Sequence, residues 1–92
     1  MNGILDVGQI VFSKSGRDQG RPFIVISIEE EYAYLADGKL RKVETPKRKK
    51  YKHIQKTNDA LQWIRKKIIE EGMPTDADLR KALDEYVKKT SI

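Results

Sequence analysis

The chain of 92 residues contains no cysteine. That excludes disulfides and thiolate metal sites, and it fits a reducing compartment. With one histidine, His53, a transition-metal site is not expected either. No apolar run approaches the roughly 20 residues that span a bilayer. Residues 1–6 have neither a positive n-region nor an apolar h-region, so no secretory signal is expected and a cytoplasmic location is. The patterns of catalysis are also missing. No glycine-rich run leads into the Gly-Lys-Ser/Thr of a phosphate loop. No Ser/His/Asp set has a distinctive spacing, and Glu29, Glu30 and Glu31 stand side by side rather than across a cleft. No enzymatic activity, cofactor or small-molecule substrate is expected.

What is present is charge, and it is unevenly placed. Hydrophobic residues make up 38% and charged residues 36%, the balance of a globular chain with a heavily solvated surface. The net charge is +5. Residues 1–57 hold 12 Lys/Arg against 7 Asp/Glu, whereas residues 58–92 hold 7 of each, so the whole excess lies in the first part. Its densest stretch runs from Lys39 to Lys56, where Glu44 is the one acid. A one-sided positive patch is the footprint of a polyanion ligand.

The periodicity changes along the chain. Strands are expected over residues 9–13, 23–28, 32–36, 40–43 and 51–54, with Asp37-Gly38 as a hairpin turn and Pro46 ending the fourth. From Leu61 the spacing becomes helical. Leu61, Ile64 and Ile68 share a face, Thr57 or Asn58 supplies a cap, and Gly72 stops the helix. Thr75 caps a second helix, whose apolar stripe is Leu79, Ala82, Leu83, Tyr86 and Val87. The expected division is therefore a β unit over residues 1–56 and a helical hairpin appendage over 57–92. Short strands with tight turns at this spacing suggest a small barrel or sandwich.

Two segments carry the candidate chemistry. In the loop between the first two strands, Gly16 and Gly20 allow positive φ, Lys14 adds charge, and Arg17 and Arg21 offer planar forks suited to phosphates and base edges. Asp18 is placed to orient an arginine or to cap the turn. The second segment comprises Arg41, Lys42, Lys47, Arg48, Lys49, Lys50, Tyr51, Lys52 and His53. Its cations suit phosphate neutralisation, and Tyr51 and His53 offer rings for stacking on bases. The alternative for both segments is an ordinary solvated loop.

Gly8-Gln9-Ile10-Val11-Phe12-Ser13-Lys14-Ser15-Gly16-Arg17-Asp18-Gln19-Gly20-Arg21, continuing through Ile28, resembles the KOW motif. The wider chain, with Asp37-Gly38, Arg41-Lys42, Pro46 to Lys50 and His53-Ile54, is similar to KOW-type large-subunit ribosomal proteins and to small bacterial KOW domain-containing RNA-binding proteins. The resemblance covers about the first 57 residues. It implies a mainly β fold with C-terminal α: a small SH3-like barrel that binds RNA, chiefly ribosomal RNA, through Lys14, Gly16, Arg17, Gly20 and Arg21. The basic 41–53 segment adjoins them. Ribosomal proteins are a second partner class. Two positions depart from the motif: Gln19 stands where many members have lysine, and Pro22-Phe23 replaces a more polar continuation. Some relatives use the same barrel to hold proteins. The alternative is therefore an adaptor of the translation or transcription machinery, with Trp63, Ile69 and Tyr86 as an exposed apolar patch.

Overall fold

The structure is a computed structural model and describes residues 5–90. The N-terminal reading above rests partly on residues 1–4, which lie outside the described residues. Five strands form one antiparallel sheet: β1 (Gln9–Ser13), β2 (Pro22–Glu29), β3 (Tyr32–Ala36), β4 (Lys47–Lys50) and β5 (Ile54–Ala60). The order across the sheet is β4-β3-β2-β1-β5. Two helices follow, α1 (Gln62–Glu71) and α2 (Asp76–Thr90). No helix among the described residues is long and apolar enough to cross a membrane.

The connection between the edge strands shows how strongly the sheet bends. β4 and β5 lie at opposite edges yet are joined by a single 3-10 turn, Tyr51–His53. In a flat sheet those edges would stand about 19 Å apart, at about 4.8 Å per strand. Three 3-10 residues advance only about 6 Å. The sheet is therefore curled until its edges approach, although no ladder between β4 and β5 is present among the described residues. A bulge assists the bend. Val25 pairs with Leu35 and Ser27 with Tyr34, so β2 carries an extra residue at Ile26. A bulge increases local twist and shifts the alternation by one. Ile28 consequently packs against the same core as Val25.

Curling gives the sheet two buried faces, and β2 reads apolar without alternation because it is covered on both. On one face Val11, Phe23, Val25, Ala33, Leu35 and Ile54 pack together with Leu5. The other face carries Ile10, Ile24, Ile26 and Ala36, and the helices close it with Ile64, Ile68, Leu79, Ala82 and Leu83. Ile64 and Leu79 are fully buried, a burial that stabilises by about 2 kcal/mol each. The helices thus share a core with the sheet, and the expected division at 56/57 falls inside β5.

Three local expectations are corrected. Residues 40–43 are not a strand. Asp37 Oδ1 accepts the backbone N–H groups of Lys39 and Arg41, both at 2.9 Å, and Val43 N–H goes to Asp76 Oδ1 at 2.8 Å. These side-chain acceptors take the donors that a ladder would use. The fourth strand is instead the basic run, and Pro46 precedes it rather than ending a strand. Residues 51–53 form the 3-10 turn, and strand structure begins only at Ile54. Thr57 and Asn58 belong to β5 and do not cap α1; its N-cap is Leu61, whose N–H bonds to the Gly8 carbonyl at 3.1 Å.

The second helix starts as expected. Thr75 Oγ1 accepts Asp78 N–H at 3.0 Å, and Asp78 Oδ2 accepts Thr75 N–H at 2.9 Å. This reciprocal box satisfies two donors at the helix start. Thr75→Ala is expected to cost about 1 kcal/mol, checked by chemical denaturation; no change would mean that the box adds nothing. Asp78 also receives Lys67 Nζ of α1 at 2.8 Å, tying the helices together. That bond holds the Asp78 carboxyl below its ordinary value and the Lys67 ammonium above its own. The expected apolar patch is reduced: Ile69 is exposed, but Trp63 and Tyr86 are half-buried against the shared core.

Candidate functional site

The 14–21 loop is a built turn. Gly20 N–H bonds to the Ser13 carbonyl at 2.8 Å, and Arg21 N–H to the Asp18 carbonyl at 2.9 Å. Gly16 and Gly20 adopt φ of 80° and 83°, as the sequence requires of a tight loop. Nothing stands within 4 Å of where a Gly20 Cβ would be, so the backbone there is open to approach.

Asp18 is buried at 6% exposure and faces three cations. Lys47 Nζ donates to its Oδ2 at 2.5 Å, and Arg41 Nη2 lies 3.9 Å away. Lys49 Nζ, beside them, donates to the Ser15 carbonyl at 3.1 Å. The Lys47 bond, joined by the nearby charges, holds the Asp18 carboxyl below its ordinary value despite burial. Burial, with Lys47 close by, lowers the Lys49 ammonium. The loop that leaves β1 is therefore fastened to β4, the far edge strand, and spans the seam of the curled sheet. Asp18 orients Lys47 and Arg41, not the loop arginines.

The basic run divides because it is a strand. Successive side chains of a strand point to opposite faces. Lys47 and Lys49 pair with Leu35 and Ala33 and turn toward the loop. Arg48 and Lys50 turn the other way. The Arg48 guanidinium lies 3.5 Å over the Tyr32 ring, with Nε 3.8 Å from Glu29, and Lys50 Nζ lies 5.8 Å from the same ring. Glu29 also accepts the Tyr34 hydroxyl at 2.8 Å, which raises the affinity of that phenol for its proton. Lysines on an edge strand have a second use, since they discourage pairing with another sheet.

The 3-10 turn joins the loop side. Lys14 N–H bonds to the His53 carbonyl at 2.8 Å, Lys52 is exposed, and Tyr51 is half-buried against the second core. Lys42 is exposed in the 42–45 turn, where Thr45 N–H meets its carbonyl. Among the described residues Lys14, Arg17, Arg21, Lys42 and Lys52 make no ion pair. The structure thus gathers Lys14, Gly16, Arg17, Gly20, Arg21, Arg41, Lys47, Lys49, Lys52 and His53 around one loop. It separates Arg48 and Lys50 from them.

Chemically the site is a fixed loop carrying exposed cations that make no ion pair among the described residues, beside a cluster in which one carboxylate faces three cations and a net positive charge remains. It suits a ligand with several negative charges. Among the described residues no group of His, Asp and Glu could hold a metal ion. The sequence signal that could have exposed the clamp is the acid inside a basic loop, Asp18, but its partners are 23 to 31 positions away. No protein-family model matches the chain, and no curated protein matches it.

Proposed function

We propose that the protein binds RNA without catalysis, most directly ribosomal RNA, and that its curled sheet is an SH3-like barrel of the KOW type. The observation that carries this reading is the 14–21 loop. It is held by Asp18, Lys47 and Lys49, while Lys14, Arg17 and Arg21 are exposed and make no ion pair among the described residues. A rigid scaffold that presents free arginines loses little ordering entropy on binding. The curled five-stranded sheet and the positive excess of residues 1–57 support the same reading.

The roles then separate. Arg17 and Arg21 contact phosphates and base edges, and Lys14 and Lys52 add phosphate affinity. Lys47 and Lys49 hold the loop and touch the ligand little. The test is binding of ribosomal RNA over a salt series. Arg17→Ala with Arg21→Ala is expected to weaken binding by about tenfold or more and to reduce the salt slope by about two. Affinity indifferent to salt, or unchanged in the double variant, would overturn the reading.

A further inference from the structure

The helical half carries balanced charge, so its composition assigns it no part in binding a polyanion. Tertiary packing assigns it one. An open cleft of about 550 Å³ lies between the end of the 14–21 loop, the turn after β3 and α2. Clefts that hold small ligands run from about 300 to 1,000 Å³. Its apolar surface is Pro22 of β2 with Leu83 and Val87, four apart on α2. Its walls carry four cations from three segments: Arg21, Lys39, Arg80 and Lys81. Two acids also line it, and both are engaged. Asp37 accepts two backbone N–H groups, and Asp84 pairs with Lys88 at 3.2 Å. Arg80 is fixed by donating to the Gly38 carbonyl at 2.8 Å, and Lys81 lies 5.7 Å from the Trp63 ring. Among the described residues Arg21 and Lys39 make no ion pair.

We infer that this cleft holds one unpaired nucleotide of a bound RNA, its base against Pro22, Leu83 and Val87 and its phosphates on Arg21, Lys39 and Lys81. The inference rests on the RNA-binding reading above. A duplex keeps its bases stacked inside and offers nothing to an apolar floor, whereas an unpaired base exposes its faces. The cations around that floor match the phosphates on either side of the base. Arg21 belongs to the loop and to the cleft, so a strand leaving the loop enters the cleft directly. α2 is then part of the binding surface, and Lys39 and Lys81 join the site.

The test uses the full chain with a short unstructured RNA oligonucleotide and with the blunt duplex of the same sequence, read by anisotropy over a salt series. Val87 is 49% exposed, so Val87→Asp leaves the fold intact, which circular dichroism verifies. Val87→Asp is expected to weaken single-strand binding roughly tenfold and to leave duplex binding unchanged. Lys39→Glu and Lys81→Glu each lower the salt slope by at least about one. Single-strand affinity that resists all three variants, but falls with Arg17→Ala, overturns the cleft and leaves the RNA reading standing. A second measurement does not depend on the polymer: NMR titration with adenosine monophosphate, against adenosine and inorganic phosphate. Shifts at Arg21, Lys39, Leu83 and Val87 with the nucleotide support the cleft even if no RNA binds, an outcome that would overturn only the RNA reading. No shift at those amides overturns the cleft.

Discussion

Gly38→Ala is expected to destabilise the protein by about 3 kcal/mol or more. Two costs combine. Gly38 has φ of 80°, where an L side chain costs about 1–2 kcal/mol. A Cβ there would also stand 2.3 Å from the Asp76 carbonyl oxygen and 3.0 Å from Arg80 Cγ. Backbone cannot yield as a flexible side chain can. The first turn of α2 would have to move, and with it the bonds from Val43 to Asp76 and from Arg80 to Gly38. Gly20→Ala is the control, because its φ is 83° and its surroundings are empty, so it incurs the conformational cost alone. Urea denaturation followed by the fluorescence of Trp63, the one tryptophan, separates the two. Equal losses in the two variants would show that the turn does not dock on α2 as described.

Asp18→Ala is expected to cost about 2 kcal/mol. The loss is less than for a fully buried pair because Lys47 and Arg41 keep 22% and 42% of their side chains exposed and recover some hydration. Removing the acid leaves Arg41, Lys47 and Lys49 together without a counter-charge, and among the described residues the loop keeps only the Lys49–Ser15 bond to β4. Acid acts on the same contact. The folded-state pKa of Asp18 lies below its unfolded value of about 3.9, so its contribution is complete above that value and disappears as pH falls through the folded one. The wild type should therefore lose stability in that acid window, and Asp18→Ala should show a shallower slope there. Asp78 is depressed in the same direction and remains in both proteins, so the slope should shrink rather than vanish. Equal slopes would remove Asp18 from the ion cluster. The substitution also discriminates function. If loop rigidity carries RNA binding, Asp18→Ala weakens it despite the added net positive charge; if charge alone does, affinity rises.

Much of the fold could be read directly. Strands expected over 9–13, 23–28 and 32–36 from short apolar runs between turn residues are present as 9–13, 22–29 and 32–36, and α1 and α2 follow from helical spacing ended by Gly72 and opened by Thr75. These signals are local, each depending on residues within about one turn of a helix or one strand length. Over residues 37–53 tertiary contacts overrule local preference. Asp37 and Asp76 captured the N–H groups of 39, 41 and 43, and the Lys47–Lys50 run, polar and charged, became a strand because β3 offered it an open edge. Nothing in four consecutive basic residues announces that.

The sequence by itself determined where charge could accumulate, which residues could form strands or helices, and that two glycines and two arginines would share one loop. Composition and short-range spacing suffice for those. Only the tertiary structure decided which cations are spent and which remain free. Strand alternation sent Lys47 and Lys49 to the loop and Arg48 and Lys50 to Tyr32. Curling brought the far edge of the sheet against the loop, and docking of α2 set Arg80 and Lys81 opposite Arg21. These outcomes depend on contacts between residues tens of positions apart. Coulomb attraction and burial are functions of distance in space, which the order of residues along the chain does not specify.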